Sequence, residues 1–273
     1  MCVFNEEMYL DASIKSVLKN TFRQFELIIV DDASTDYSPN IINKWALRDN
    51  RIVFCQNLKN LGTAASSTIA FSICTGDLIA IMDADDISIE TRFEKEVSFL
   101  AKNPKIDVIG SSMFLLRNDV IYSTLYAKTE NLESSLLKEN IFYNPTIMFR
   151  SKLLHSGFFK YNFKFKHTFD YELWTRLAYK FKFANIEEPL VAYRADKNSK
   201  NSVSSKAPFR REIEVLILRT RYIVSILISK QIKFTHIRFF SASIIKGSLP
   251  AFSRIFKFWY TRFTKSIFEK KFH

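Results

Sequence analysis

Asp77-Leu78-Ile79-Ala80-Ile81-Met82-Asp83-Ala84-Asp85-Asp86, residues 77–86, decides the fold. Five of its first six residues are apolar, and three carboxylates follow in four positions. A short apolar run bounded by Gly76 and by acids reads as a buried parallel strand. The acids then lie just past the strand's carboxyl end, where open α/β sheets keep their ligands. Carboxylates this close repel one another, so the arrangement calls for a cation. Oxygen-only ligands suit a hard divalent ion, Mg²⁺ or Mn²⁺, which commonly also holds substrate phosphates. The plainer alternative is a solvated acidic turn after a strand.

Upstream, the pattern alternates. Met1–Phe4 looks like the end of a strand shorter than the usual five or so residues, so the natural start is expected to lie upstream. Asn5 is expected to cap a helix with Leu10, Ile14, Val17 and Leu18 on one face. Phe25–Val30 reads as a second buried strand, running into Asp31 and Asp32. Asp36 or Ser38 is a cap for the next helix, with Pro39 in its first turn. Ile52–Cys55 is a third strand, and a helix from Thr63 to Cys74 is expected to be closed by Gly76. Strand-helix alternation four strands deep means a parallel, doubly wound sheet.

Downstream, helices are expected over 90–101, 132–138 and 170–181. Strands are expected over 107–116, 120–127, 145–150, 183–186 and 190–193. Residues 197–205, rich in Asn and Ser, read as a linker. The 273-residue chain carries a formal charge of +12. Residues 206–273 hold fifteen Lys and Arg against three Asp and Glu, so the whole excess sits there. The expected organisation is a body, 1–205, with halves 1–100 and 101–205, followed by a basic helical tail, 206–273. Cys2, Cys55 and Cys74 show neither metal-ligand spacing nor an even-numbered framework, which suits a reducing compartment. Glu6 and Glu7 interrupt any leader-like run, and no apolar stretch reaches the ~18 residues of a membrane span.

Six ordered pieces carry a resemblance: VFNEE (3–7), SVLKNTFRQFELIIVDDASTD (16–36), NLGTAAS (60–66), GDLIAIMDADD (76–86), NPTIMFR (144–150) and DYELWTRL (170–177). Together the chain resembles the inverting nucleotide-sugar glycosyltransferases of family 2, with the GT-A, Rossmann-like α/β fold. The resemblance implies transfer of one sugar from a nucleotide-diphosphate sugar, a UDP-sugar by preference, to a hydroxyl of a lipid-linked or surface-polysaccharide glycan. Asp32, with Asp31 beside it, matches the acid that reads the nucleobase. Asp83 matches the residue that meets the ribose, and Asp85 the one that holds the metal on the diphosphate. Phe4, Asn5, Glu6 and Ala84 fall in the donor-binding segments. Asp170 matches the general base, with Glu172 as the fallback, because this chain shows Phe169-Asp170 where the family usually shows Glu-Asp. Arg176 is left open between a salt-bridge partner and a phosphate contact, while Trp174 and Leu177 read as core. The tail lies outside the resemblance.

Two rival functions frame these expectations. A nucleotidyltransferase would call for a Gly-rich basic loop near the amino terminus, where this chain has Asn5-Glu6-Glu7. A truncated, non-catalytic nucleotide-sugar-binding member is the other. The absence of a Q-x-x-R-W motif argues for single transfer over processive synthesis. In the tail, Phe252, Ile255, Phe256, Trp259, Phe263 and Ile267 form one helical stripe backed by Arg254, Lys257 and Lys265. That pattern fits an anionic membrane surface, the inner face of a plasma membrane, and not nucleic acid. Residues 210–228 are apolar on two faces and are expected to be buried on both.

Overall fold

The computed structural model describes residues 1–165, 167–195 and 208–228, with side chains in the last segment described over 211–223. The expected alternation is present. Strands β1 (Cys2–Val3), β2 (Leu27–Asp31), β3 (Ile52–Gln56) and β4 (Leu78–Ala80) are separated by helices α1 (Leu10–Leu18), α2 (Ser38–Ala46) and α3 (Thr63–Ile73). The first three strands form a parallel sheet in the order β1-β2-β3. Strand β2 is buried at every residue because both its faces are covered. Leu27 and Ile29 pack into the core with Leu10, Ile14, Val17 and Ile42. Ile28 and Val30 point the other way, onto Ala70 of α3. The period-two alternation of a strand therefore divides one unbroken apolar run between two helical layers.

Further elements follow: β5 (Ile87–Ser88), α4 (Arg92–Lys102), β6 (Val108–Arg117), β7 (Val120–Leu125), α5 (Leu132–Ser135), β8 (Met148–Arg150), α6 (Phe169–Leu177) and β9 (Phe183–Arg194). They build a second sheet, β4-β8-β6-β9-β5, with β7 paired to β6. Here β8 runs antiparallel to β4 and β6, and β5 antiparallel to β9, while β6 and β9 are parallel. The strand expected as a buried member of the parallel sheet, β4, is therefore only partly buried and has an antiparallel neighbour in the second sheet. Among the described residues, one isolated parallel bridge, Cys2 to Asp83, links β1 to the turn after β4. The two strands expected over 183–186 and 190–193 are one. Its register jumps from Ile186 to Pro189, and the residues between them are left unpaired with β6. Pro189 has no N–H to give to a ladder, so the irregularity falls beside it.

Several expected boundaries move. Asn5 does not cap α1: the helix starts at Leu10 behind Tyr9, and the Asn5 carboxamide turns to Thr35 instead. Neither Asp36 nor Ser38 stands at the cap of α2, which is Tyr37 without a side-chain cap, though Asp36 Oδ1 accepts from Ser38 N at 3.0 Å. Helix α3 ends at Ile73, with Cys74 already extended, so Gly76 lies beyond the closing turn. Helix α5 is a single turn, shorter than expected.

The chain divides into two compact units, Met1–Arg219 and Thr220–His273. Helix α7 (Pro208–Ile228) crosses that boundary. In the first unit, Leu218 is buried while Leu216 and Ile217 are exposed. Burial on both faces is thus not found over 211–219. The linker over 197–205 and the aromatic stripe over 252–267 lie outside the described residues.

Candidate functional site

The acidic turn after β4 is fixed by its backbone, which leaves its side chains to gather. Ile81 N donates to the Ile147 carbonyl at 2.8 Å. The buried Arg92 of α4 donates to the Ile81 carbonyl at 2.9 Å and reaches the Met82 sulfur at 3.4 Å. Ser13 of α1 donates to the Asp83 carbonyl at 3.2 Å. From the end of β9, Arg194 donates through Nε to the Asp85 carbonyl at 3.0 Å and through its backbone N–H to Asp86 Oδ1 at 2.9 Å. Each of Asp83, Asp85 and Asp86 then offers a carboxylate oxygen within 4.8 Å of the others. Three oxygen donors converging this closely fit a hard divalent cation.

Asp31 and Asp32 sit at the carboxyl end of β2, beside β1. Asp32, 3% exposed, accepts from Asn57 Nδ2, Leu61 N and Gly62 N, each at 2.8 Å. Burial alone would raise its pKa, but the donors of Leu61, Asn57, Ser66 and Gly62 outweigh that and lower it. Gly62 takes φ +85°, a conformation open to glycine, so both amides can face one carboxylate. Asp31 Oδ2 accepts from Ser34 N and Gln56, while its buried Oδ1 has no hydrogen-bond partner. The loop after β1 is laced to the loop after β2. Asn5, at φ 56°, receives Thr35 N at 2.8 Å and gives its own N–H to Ser34 Oγ at 2.9 Å. Glu6 N donates to Ser38 Oγ at 3.0 Å. Phe4 is half-buried beside this lacing, and Ala84 is buried in the acidic turn. Cys2 lies between the groups: the charges of Asp83 and Asp32 both reach its thiol, whose pKa is raised first of all by burial.

Asp170 stands in the first turn of α6, half-buried, and Asn140 Nδ2 donates to its Oδ2 at 2.8 Å. Burial raises its pKa, against the pull of the helix-mouth N–H groups, Arg211 and Asn140. Glu172 is differently placed. It is 4% exposed, and both its oxygens are taken by Arg176, at 3.2 and 3.0 Å. Arg176 is therefore a salt-bridge partner, and its remaining donors go to the Phe158 and Lys160 carbonyls. Trp174 and Leu177 are core. The Tyr161 hydroxyl, its pKa raised chiefly by burial, feels the charges of both Asp170 and Asp83.

Three contributors escape the sequence reading. Arg194 has no motif around it; only an arginine closing an apolar strand marks it. Asn140 and Tyr161 lie in segments without periodicity. Asp86 was visible as the third carboxylate, but no separate role was assigned to it.

The family model described as "Glycosyl transferase family 2" matches residues 1–174. An uncharacterized glycosyltransferase of Methanocaldococcus jannaschii is 35% identical over 201 residues, 71% of this chain and 69% of that protein. The Escherichia coli UDP-Glc:α-D-GlcNAc-diphosphoundecaprenol β-1,3-glucosyltransferase WfgD is 30% identical, over 63% of this chain and 65% of that one. Among solved structures, Staphylococcus aureus TarS 1–349 in complex with UDP-GlcNAc superposes with a TM-score of 0.68 at 20% identity, over 82% of this chain. This chain spans 65% of it, just under two thirds. The mannosyltransferase PcManGT of Pyrobaculum calidifontis, in complex with GDP-Man and Mn²⁺, gives 0.60 at 17% identity, over 95% of this chain and 78% of that one.

Proposed function

The chain belongs to glycosyl transferase family 2, and from that premise we propose that it transfers a single sugar, with inversion, from a UDP-sugar to a glycan hydroxyl. The observation that carries the reading is the convergence of the Asp83, Asp85 and Asp86 carboxylates within 4.8 Å at a strand's carboxyl end. Asp83 faces the ribose and Asp85 is the metal ligand. Phe4, Asn5, Glu6, Asp31, Asp32 and Ala84 form the wall that receives the nucleotide. A bound Mn²⁺ or Mg²⁺ supplies Lewis acidity where the departing diphosphate gathers negative charge. Asp170 accepts the proton of the acceptor hydroxyl as that oxygen bonds to the anomeric carbon, on the face opposite the leaving nucleoside diphosphate. One base and no protein nucleophile give inversion, unlike the paired carboxylates of a retaining hydrolase. The pairing of Glu172 with Arg176 supports Asp170 over Glu172 as the base.

The acceptor we infer is a lipid-linked or surface-polysaccharide glycan, met at the inner face of a plasma membrane. The diphosphoundecaprenol acceptor in the name of the Escherichia coli relative supports it, as does the basic composition of 206–273. No helix among the described residues is long and apolar enough to cross a membrane.

A screen of UDP- and GDP-sugars with Mn²⁺, read by thermal shift and by release of free nucleotide, tests the reading. One UDP-sugar should raise the melting temperature and be turned over, with UDP and not pyrophosphate released. EDTA or Asp85→Ala should abolish turnover, because removing the metal or its ligand costs several kcal/mol of transition-state stabilisation, and Asp83→Ala should nearly abolish it by loosening the donor's ribose. Asp170→Asn should keep the thermal shift and lose roughly 10²–10⁴-fold in rate. Full turnover in EDTA would overturn the metal assignment. Full turnover of Asp170→Asn would overturn the base.

A further inference from the structure

We propose that Asn140 is the positioning residue of the base: its carboxamide aims Asp170 and favours the ionised carboxylate. The inference rests on reading Asp170 as the base. Both ends of the Asn140 side chain are committed. Nδ2 donates to Asp170 Oδ2 at 2.8 Å, and Oδ1 accepts from Phe142 N at 3.2 Å. The second bond defines which end of the amide is which, because an N–H can be met only by the oxygen. It also ties the residue to a buried support. Ile141 and Phe142 are both buried, and the Phe142 ring packs edge-on against Trp174 of α6, the helix that bears Asp170, at 5.3 Å. The carboxamide is thus anchored, through Phe142, to the next turn of the helix whose first turn it orients.

The consequence for chemistry is specific. The Asn140 side chain is the amide that joins the helix-mouth N–H groups in holding this carboxylate. Asn140 holds Oδ2, and with the helix-mouth N–H groups it fixes how the carboxylate is presented to the acceptor's hydroxyl. A donor to the charged form also opposes the rise in pKa that burial imposes on Asp170. The other groups around this carboxyl are accounted for. Arg211 of α7 acts in the same direction as Asn140, as do the N–H groups of Asp170 and Tyr171. Tyr161, before α6, feels the charge of Asp170. Glu172 is neutralised by Arg176. Glu214 of α7 accepts from His167 N and Thr168 Oγ1 at the mouth of the helix.

Asn140→Asp is the discriminating variant. It is isosteric and keeps an acceptor for Phe142 N, so the loop stays anchored. It replaces only the donor, and with a second carboxylate. Asn140→Ala removes both ends. The first measurement is a ¹³C NMR titration of the Asp carboxyls, with Asp170 assigned from its missing resonance in Asp170→Asn. The Asp170 midpoint should rise by about one unit in Asn140→Ala and further in Asn140→Asp. The acid limb of the rate, measured with the donor found in the screen, should follow the midpoint upward. Below that limb kcat should fall ten-fold or more, with donor KM unchanged. An unmoved midpoint in Asn140→Asp overturns the inference and leaves the base reading standing. A midpoint that moves while the limb does not, or wild-type transfer by Asp170→Asn, overturns the base reading and the inference with it.

Discussion

At the scale of single residues, the strand that ends in the acids rests on a buried ion pair. Arg92 Nε and Glu96 Oε1 meet at 3.0 Å with both side chains fully excluded from water. The other oxygen of Glu96 has no hydrogen-bond partner. Burial therefore pushes Glu96 up to about 7, only partly opposed by Arg92. The sign follows from the direction. An acid whose pKa is higher folded than unfolded favours the fold fully below the unfolded value and loses that contribution as pH rises through about 7. Over that range the loss is on the order of 3 kcal/mol. The melting temperature should therefore fall between pH 5 and pH 8, and Glu96→Gln should flatten that slope. Asp170, also raised, contributes in the same direction in both proteins, so the difference between them isolates Glu96. An identical slope in the variant would refute the argument. None of this was legible beforehand: Arg92 and Glu96 are ordinary i, i+4 helix charges in sequence, and only the fold reveals that they face inward. The cluster of Asp83, Asp85 and Asp86 was legible because three acids crowd behind an apolar run, whereas Asp170 was named from the resemblance alone. Asn140 was not legible, because an amide in an aperiodic stretch resembles any turn-former.

At the scale of elements, periodicity and contact density decide what sequence reveals. Helix α1 and strand β2 bury regular patterns and appear near where expected, with their starts moved to Leu10 and Leu27. The segment 183–194 was read as two strands because Glu187, Glu188 and Pro189 break the pattern, yet the ladder with β6 resumes beyond them. Cross-strand neighbours bridge an irregularity that local propensity cannot. The Asn140 loop depends on a similar long-range fit. A methyl group on Gly110 of β6 would come within 2.6 Å of Asn185 Oδ1 and 2.8 Å of the Phe142 ring. Asn185 cannot easily yield, because its amide donates to the carbonyls of Lys128 and Ile141 at 2.7 and 3.0 Å. Gly110→Ala should cost about 1–3 kcal/mol in urea unfolding. It should also displace Phe142, so turnover should fall more than donor binding. A neutral effect on both would show that the loop adapts freely.

At the scale of the whole molecule, charge separates where the fold does not. The excess of basic residues lies beyond Ser205, whereas the first compact unit continues to Arg219. Composition therefore located a change in charge along the chain, while packing carries the first turns of α7 into the first unit. The full chain should co-sediment with anionic vesicles, and less at high salt, where charges beyond about 8–10 Å are screened. A version ending at Ser248 should lose most of that binding; equal binding by both would assign the stripe over 252–267 to ordinary core. The isolated Cys2 to Asp83 bridge has a mechanical consequence of its own. Three parallel strands lie on one side of it and a mixed sheet on the other, so the two sheets meet along a thinly paired seam beside the proposed donor site. A donor gripped by Asp32 on one side and Asp83 on the other would act as a staple across that seam. Amide exchange at Val3 and Asp83 should then slow on donor binding before it slows within either sheet, and the reaction would release the staple each time the nucleotide departs.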